Sequence, residues 1–217
     1  MIPYRVVKRV VDVAGAAGLI VAASPVIAVT AIAVRKNLGS PVLFTQERPG
    51  KDGLVFRMYK FRSMKSVDRE AGLVSDKDRL TRFGSWLRST SLDELPSLLN
   101  VLQGDMSFVG PRPLLVSYLE RYSPEQARRH EVRPGITGLA QSSGRNHLNW
   151  EQRFQLDVKY VDSMSAALDL RILFRTLAAV LKRSGITADG EATMSEFTGS
   201  QKTDPDAVMV DTHESAT

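Results

Sequence analysis

The 217-residue sequence predicts an α+β protein that is mostly helical, with an apolar membrane segment at its N-terminus. Three observations carry this. Val10 to Val34 is an apolar run that carries one charge, Asp12, with Ser24-Pro25 inside it. Two short strand-like stretches flank the turn-rich Arg48-Pro49-Gly50-Lys51-Asp52-Gly53, which reads as a small β-hairpin. Most of the chain beyond the hairpin has helical spacing, interrupted by glycine-proline loops.

The apolar run is flanked by Arg5, Lys8 and Arg9 before it and by Arg35 and Lys36 after it. A continuous helix of that length would extend about 37 Å, against a hydrocarbon core of about 30 Å. Pro25 removes a backbone donor and crowds the preceding turn, so a kink or break is expected there. Basic residues favour the cytoplasmic side, and both flanks carry them. From these residues alone, two readings stay open: a kinked spanning helix, and a re-entrant helix that turns at Ser24-Pro25 and leaves by the face it entered. Val21-Ala22-Ala23-Ser24 bears a faint likeness to a signal-peptide cleavage site, but Pro25 suits the residue after a cleaved bond poorly and the apolar run resumes beyond it.

Three segments are expected: 1–36 as the membrane segment, 37–186 as the body, and 187–217 as an acidic, largely disordered tail. The tail holds seven acidic residues and one lysine, so the net charge of +5 conceals +11 on the rest of the chain. A basic body beside an apolar anchor suits anionic partners. Aromatic residues are 7% of the chain and do not interleave with the basic ones, which argues against a nucleic-acid stacking platform. The absence of cysteine excludes disulfides and thiolate metal sites.

In the body, strands are expected at 41–46 and 55–62. A helix is expected over 80–88, and a second begins near Ser91 with Leu95, Leu98, Leu99 and Leu102 on one face. Val109-Gly110-Pro111-Arg112-Pro113 and Arg133-Pro134-Gly135-Ile136-Thr137-Gly138 read as rigid loops. Helices are expected at 114–121, 124–132, 150–163 and 168–183. In the last, Leu170, Leu173, Leu177, Val180 and Leu181 share a face, as in an interfacial amphipathic helix or an ordinary core helix.

Ser91-Leu92-Asp93-Glu94-Leu95-Pro96 places two adjacent carboxylates at a helix opening. Capping and the helix dipole explain most such pairs without catalysis. The same field keeps a carboxylate ionised, as a nucleophile or magnesium ligand requires, and neighbouring helical positions diverge by about 100°, so the two can face different partners. Candidate phosphate ligands are Arg112 between its prolines, Arg145 in Ser143-Gly144-Arg145-Asn146, Arg88 ahead of the carboxylates, and Lys60 and Arg62 on the second strand. Arginine's planar fork matches phosphate bidentately, although lone surface arginines are commonly only solvated. There is no P-loop, no dinucleotide-binding glycine fingerprint and no serine-nucleophile elbow. His130, His147 and His213 lack metal-ligand spacing.

Taken in order, Lys8-Arg9-Val10-Val11-Asp12, Ser24-Pro25, Gly39-Ser40-Pro41-Val42-Leu43-Phe44, Gln46-Glu47-Arg48-Pro49-Gly50, Tyr59-Lys60-Phe61-Arg62-Ser63-Met64, Thr90-Ser91-Leu92-Asp93-Glu94-Leu95-Pro96, Gly104-Asp105-Met106-Ser107, the two glycine-proline loops and Asp157-Val158-Lys159-Tyr160 resemble the bacterial sugar transferase family of monotopic phosphoglycosyl transferases. The resemblance spans residues 8 to about 185, and without a large N-terminal extension it is to the family's minimal form. It implies a re-entrant helix broken at Ser24-Pro25 and a place on the cytoplasmic face of a bacterial inner membrane. It implies that Asp93 attacks the sugar-bearing phosphorus of a UDP-sugar, that UMP leaves, and that undecaprenyl phosphate takes the phosphosugar. Glu94 and Mg2+ would complete the site, with Pro111, Arg112 and Pro113 on the uridine side. The stretch 190–199 is similar to tails of members that use diacetamido sugars. The rival reading of the composition is a non-enzymatic membrane adaptor that binds anionic lipid or nucleic acid.

Overall fold

The computed structural model describes residues 3–143, 148–181 and 196–199. It opens with helices α1 (Tyr4–Ala22) and α2 (Ser24–Leu38), which meet at an angle of 65°. Ala23 separates them at φ −89° and ψ 0°, and the Ser24 hydroxyl donates to the Val21 carbonyl at 2.8 Å. Pro25 falls in the first turn of α2, where its missing N–H costs no helical bond. The sequence therefore breaks where proline demands it and restarts where proline is tolerated. No single described helix is long and apolar enough to cross a membrane; the bent pair reaches that length and composition only together. Val10, Val21, Val29 and Ile32 on the pair are all exposed.

Strands β1 (Leu43–Pro49) and β2 (Val55–Phe61) form the expected antiparallel hairpin, registered from Leu43 opposite Phe61 to Pro49 opposite Val55. The first strand runs three residues beyond its expected end. With only two strands both are edges, and a proline is tolerated there. After the short helix α3 (Asp76–Arg79) comes α4 (Arg82–Ser89), capped by the Thr81 hydroxyl accepting from the Gly84 amide at 3.0 Å. A β-carbon at Gly84 would stand 1.8 Å from the Ser63 carbonyl oxygen. Glycine is what lets α4 lie against the end of β2.

The second expected helix divides. Leu92–Glu94 is a single 3-10 turn, and the α-helix proper, α5 (Ser97–Gln103), starts after Pro96. Its buried face is Ser97, Leu98, Asn100 and Val101, whereas Leu99 and Leu102 point outward. The expected leucine face is thus corrected: polar Ser97 and Asn100 hold inward positions because both bond to the backbone of β2.

The two glycine-proline loops belong to one element. Strand β3 (Ser107–Val109) pairs in parallel with β4 (Gly135–Thr137), with Ser107 opposite Gly135 and Val109 opposite Thr137. Three-residue strands beside prolines carry too little alternation to be read as strands. Between them, the expected helix at 114–121 is a 3-10 turn over Val116–Arg121, and that at 124–132 is α6 (Pro124–Ala127) followed by a 3-10 turn, Arg128–Glu131. Helices α7 (Leu139–Ser143), α8 (Trp150–Ser163) and α9 (Ala166–Leu181) complete the order; α8 opens with an Asn149–Gln152 capping box.

Buried polar groups fasten α1 to this body. Asp169, in the first turn of α9, accepts from the Tyr4 hydroxyl at 2.7 Å, the Lys8 ammonium at 2.7 Å and the Tyr160 hydroxyl at 2.8 Å. Asp12 accepts from the Phe108 amide, and Arg9 donates to the Val101 and Leu102 carbonyls near the end of α5. Arginine there meets carbonyls that the helix leaves open. On α9, Leu170, Leu173 and Leu177 form an exposed apolar face while Ile172 and Asp169 turn inward. Of the tail, Glu196–Gly199 is described, with Phe197 buried in an aromatic cluster.

Candidate active site

The carboxylate pair sits on the 3-10 turn ahead of α5, and the backbone that delivers it is unusual. Ser91 adopts φ 56° and ψ 15°, the left-handed region, without being glycine. Such a conformation costs on the order of 1–3 kcal/mol and persists where surrounding structure enforces it, commonly at functional sites. Here it reverses the chain out of α4, so that Asp93 turns inward, only 7% exposed, with Glu94 beside it.

Glu94 Oε1 lies 2.6 Å from Lys60 Nζ and 3.4 Å from Arg112 Nη2. Lys60 is held by the stitching of β2 to α5: the Tyr59 amide donates to Asn100 Oδ1 at 3.0 Å, Asn100 Nδ2 to the Arg57 carbonyl at 2.8 Å, and Ser97 Oγ to the Tyr59 carbonyl at 2.8 Å. Asn100 is fully buried, and its own carbonyl accepts the amides of Gly104, Asp105 and Met106. Sequence reasoning does not single this residue out, although a lone asparagine in a leucine-rich helix is a readable signal.

Arg112 arrives from the opposite side, on the loop after β3. The Pro111 carbonyl accepts the Gly135 amide at 3.0 Å, and the Arg112 carbonyl accepts Arg129 Nη2 at 2.7 Å. Pro111 and Pro113 are buried, while the Arg112 side chain is 41% exposed and open to a solute. Arg88, in the last turn of α4, donates from Nε to Ser63 Oγ at 2.9 Å, and its charge favours ionised Asp93.

The environment separates the two carboxylates. Burial, then the charge of Glu94, pushes Asp93 up to about 6 against the pull of Lys60, Arg88 and Arg112. Burial would raise Glu94 as well, but Lys60 and Arg112 outweigh it by charge and hydrogen bonding and hold it down to about 2. The expectation that a helix opening keeps its carboxylates ionised thus describes Glu94, whereas burial dominates at Asp93. Adjacent carboxyls pushed apart in this way are suited to different roles.

The structure brings together Lys60, Arg88, Asp93, Glu94 and Arg112. Arg62 goes elsewhere: its guanidinium donates to the carbonyls of Leu38 and Ser40 and to Ser66, at the exit of α2. Arg145 lies outside the described residues. Arg48, not singled out in the sequence, joins the site's periphery. Its guanidinium donates to Gln46 Oε1 at 2.6 Å and is held down to about 10, first by burial and then by the charge of Arg112. Among the described residues no group of three or more His, Asp or Glu could hold a metal ion. An adjacent carboxylate pair fits magnesium, which keeps several waters and shares its remaining positions with phosphate oxygens.

A sequence profile for the bacterial sugar transferases matches residues 3–183, and the chain belongs to that family. It is 50% identical over 196 residues to the uncharacterized sugar transferase EpsL of Bacillus subtilis (strain 168), covering 90% of this chain and 97% of that one. It is 41% identical over 183 residues to a UDP-glucose:undecaprenyl-phosphate glucose-1-phosphate transferase of Klebsiella pneumoniae, covering 79% of this chain and 39% of that one. With the undecaprenyl-phosphate galactose phosphotransferase of Salmonella typhimurium it shares 38% identity over 199 residues, 83% of this chain and 42% of the other. The chain thus spans nearly the whole of EpsL but under half the length of these two named transferases.

One group beside Arg112 reports on acid stability. His130 lines a recess with Pro49, Pro111, Arg112, Pro113 and Arg129, and its Nδ1 lies 3.1 Å from the Gly50 carbonyl while Nε2 is buried without a partner. Burial first, then Arg129, holds it down to about 4 from an ordinary 6.5. The unfolded chain therefore binds a proton that the fold refuses between these values. His130 contributes stability present above pH 6.5 and lost as the pH falls towards 4. Chemical denaturation of His130→Gln should show a flatter decline than the parent over that window, the two curves converging at acid pH. Parallel curves would remove His130 as the cause.

Proposed function

We propose that this protein transfers a sugar-1-phosphate from a UDP-sugar to undecaprenyl phosphate and releases UMP. The observation that carries the reading is an inward-turned Asp93 beside a Glu94 neutralised by Lys60 and Arg112, in a chain similar to transferases named for that reaction. In the first step an Asp93 carboxylate oxygen attacks the sugar-bearing phosphorus, and the bond from that phosphorus to the oxygen bridging to UMP breaks. In the second, a phosphate oxygen of undecaprenyl phosphate attacks the same phosphorus, and the bond to Asp93 breaks. A carboxylate nucleophile thus divides one transfer into two displacements.

The obstacle is repulsion between an anionic nucleophile and a diphosphate. Lys60 and Arg112 neutralise Glu94 and leave positive charge facing the substrate; Arg88 offsets the charge of Asp93 itself. Mg2+ held by Asp93 and Glu94 with the diphosphate oxygens would neutralise charge as it develops on the phosphates. The buried pyrrolidines on either side of Arg112 fix its loop before substrate arrives, which lowers the entropy of clamping. We place Pro111-Arg112-Pro113 at the uridine end.

The lipid acceptor accounts for the bent helix pair. With basic residues on both flanks and a 65° bend at Ser24-Pro25, α1 and α2 suit a re-entrant segment that keeps the body at the headgroup plane on the cytoplasmic face. Cysteines placed at Tyr4 and Asn37 should both resist an impermeant thiol reagent applied from the periplasmic side; labelling of one alone means the helix spans.

The direct assay is UMP release from a panel of UDP-sugars with Mg2+ and undecaprenyl phosphate. A charge-assisted phosphate contact is worth about 1.5–3 kcal/mol, so Arg112→Ala should lose about ten- to hundredfold or more. Arg112→Lys should recover only part, because it lacks the fork. Asp93→Asn should be almost inactive and Glu94→Gln impaired. A parent protein that releases no UMP from any UDP-sugar would favour the adaptor reading.

A further inference from the structure

The densest aromatic feature of the molecule is closed by a segment that returns from the C-terminal region. Phe197 is 4% exposed and sits among Tyr118, Tyr122, Trp150 and Phe154, with ring centroids 4.9–5.9 Å away. Polar contacts seat it as well. Its amide donates to the Tyr118 hydroxyl at 3.1 Å, its carbonyl accepts Arg121 Nη1 at 2.5 Å, and the same nitrogen reaches Glu196 Oε1 at 2.7 Å. Glycine follows at Gly199, where φ of 115° disfavours any side chain. A residue held by four rings and two hydrogen-bonding partners is a fitted plug.

The cluster leads to the candidate site in two contacts. Arg129 lies over the rings of Tyr122 and Phe154 at 5.6 and 5.7 Å, and its Nη1 donates to the Tyr122 hydroxyl at 3.3 Å. The same guanidinium pairs with buried Asp157 at 2.7 Å and donates to the Arg112 carbonyl at 2.7 Å. Arg129 is itself buried, so the rings beneath it decide where it can rest. Trp150, which stacks on Phe154 and touches Phe197, also opens α8.

We propose that Glu196–Gly199 is an intramolecular strap and Phe197 a positioning residue, which holds Arg112 in its phosphate-binding place through Tyr122 and Arg129. Withdrawing the ring leaves a void beside Tyr122 and Phe154, the two rings that Arg129 lies over, so Arg129 keeps Asp157 but loses its fixed packing, and its bond to the Arg112 carbonyl loosens. Packed interiors transmit such a change because neighbouring side chains have few alternative positions. The strap goes beyond the proposed transfer reaction, and only the kinetic arm of its test rests on that reaction.

The test compares the full-length parent with Phe197→Ala, Phe197→Leu and Arg121→Ala in detergent. Amide hydrogen exchange in the 109–114 segment should accelerate in Phe197→Ala, less in Phe197→Leu, while the β1–β2 hairpin stays as in the parent. Arg121→Ala releases the strap from a half-buried side chain while leaving every ring of the cluster in place, and should show the same local pattern if Phe197→Ala does not fold. In UMP release, kcat/KM for the UDP-sugar should fall about two- to thirtyfold, the range carried through packed networks, through KM more than kcat. Unchanged exchange at 109–114 in variants that have lost the strap overturns the proposal whatever the activity. Faster exchange with unchanged kcat/KM removes the link to Arg112. A parent inactive on every UDP-sugar defeats the reaction, and the exchange arm still decides the strap.

Discussion

Gly110 and Gly135 approach so closely that no side chain fits between their strands. A β-carbon on Gly135 would stand 2.1 Å from the Gly110 nitrogen and 2.3 Å from the Thr137 oxygen; one on Gly110 would stand 2.3 Å from the Arg133 oxygen. Real β-carbons essentially never come that near other atoms, so the contact exists only as glycine on glycine. It lets the Gly110 amide reach the Thr137 carbonyl and the Gly135 amide reach the Pro111 carbonyl. Those two bonds fix the direction in which the chain leaves β3, and hence where Arg112 points. Everything charged in the site is arranged around that arrival, because Glu94 faces Lys60 on one side and Arg112 on the other.

The electrostatics follow from burial. A carboxylate removed from water is unstable unless cations or donors replace the lost hydration. Glu94 has both in Lys60 and Arg112, and remains an anion well below neutral pH. Asp93 is buried too but receives weaker compensation from the same cations, so its ionised form is held less tightly. Adjacent residues on one 3-10 turn thus become a fixed counter-charge and a carboxyl whose charge is less firmly held. The left-handed Ser91 just before them lets both occupy the turn while α4 and α5 keep their own directions.

Patterns set by a single residue type were legible in the sequence. Pro25 announced the break between α1 and α2, the turn residues around Gly50 announced the hairpin, and the helix expected at 150–163 is α8. Arg112, between its prolines, was one of several candidate phosphate ligands and was not separable from the others by sequence. What stayed hidden depended on contacts across distance. The two glycine-proline loops gave no sign that they pair with each other, since three-residue strands show no alternation. The inward face of α5 was misread because leucine outranks asparagine until the carbonyl of Arg57 and the amide of Tyr59 are seen waiting for Asn100. Arg62 and Arg112 look alike in sequence, and only the fold shows one bound to the Leu38 and Ser40 carbonyls and the other facing Glu94.

The central claim is that Asp93 forms a covalent bond to the phosphosugar before any lipid is present. Intact-protein mass spectrometry of the purified protein, incubated with its UDP-sugar and Mg2+ but no undecaprenyl phosphate, reads this directly. The expected result is a mass gain of one phosphosugar, mapped to the peptide containing Ser91–Leu95, absent from Asp93→Asn and discharged when undecaprenyl phosphate is added. An Asp93→Asn protein that still turns over, or a parent that turns over with lipid yet never gains that mass without it, would contradict the claim.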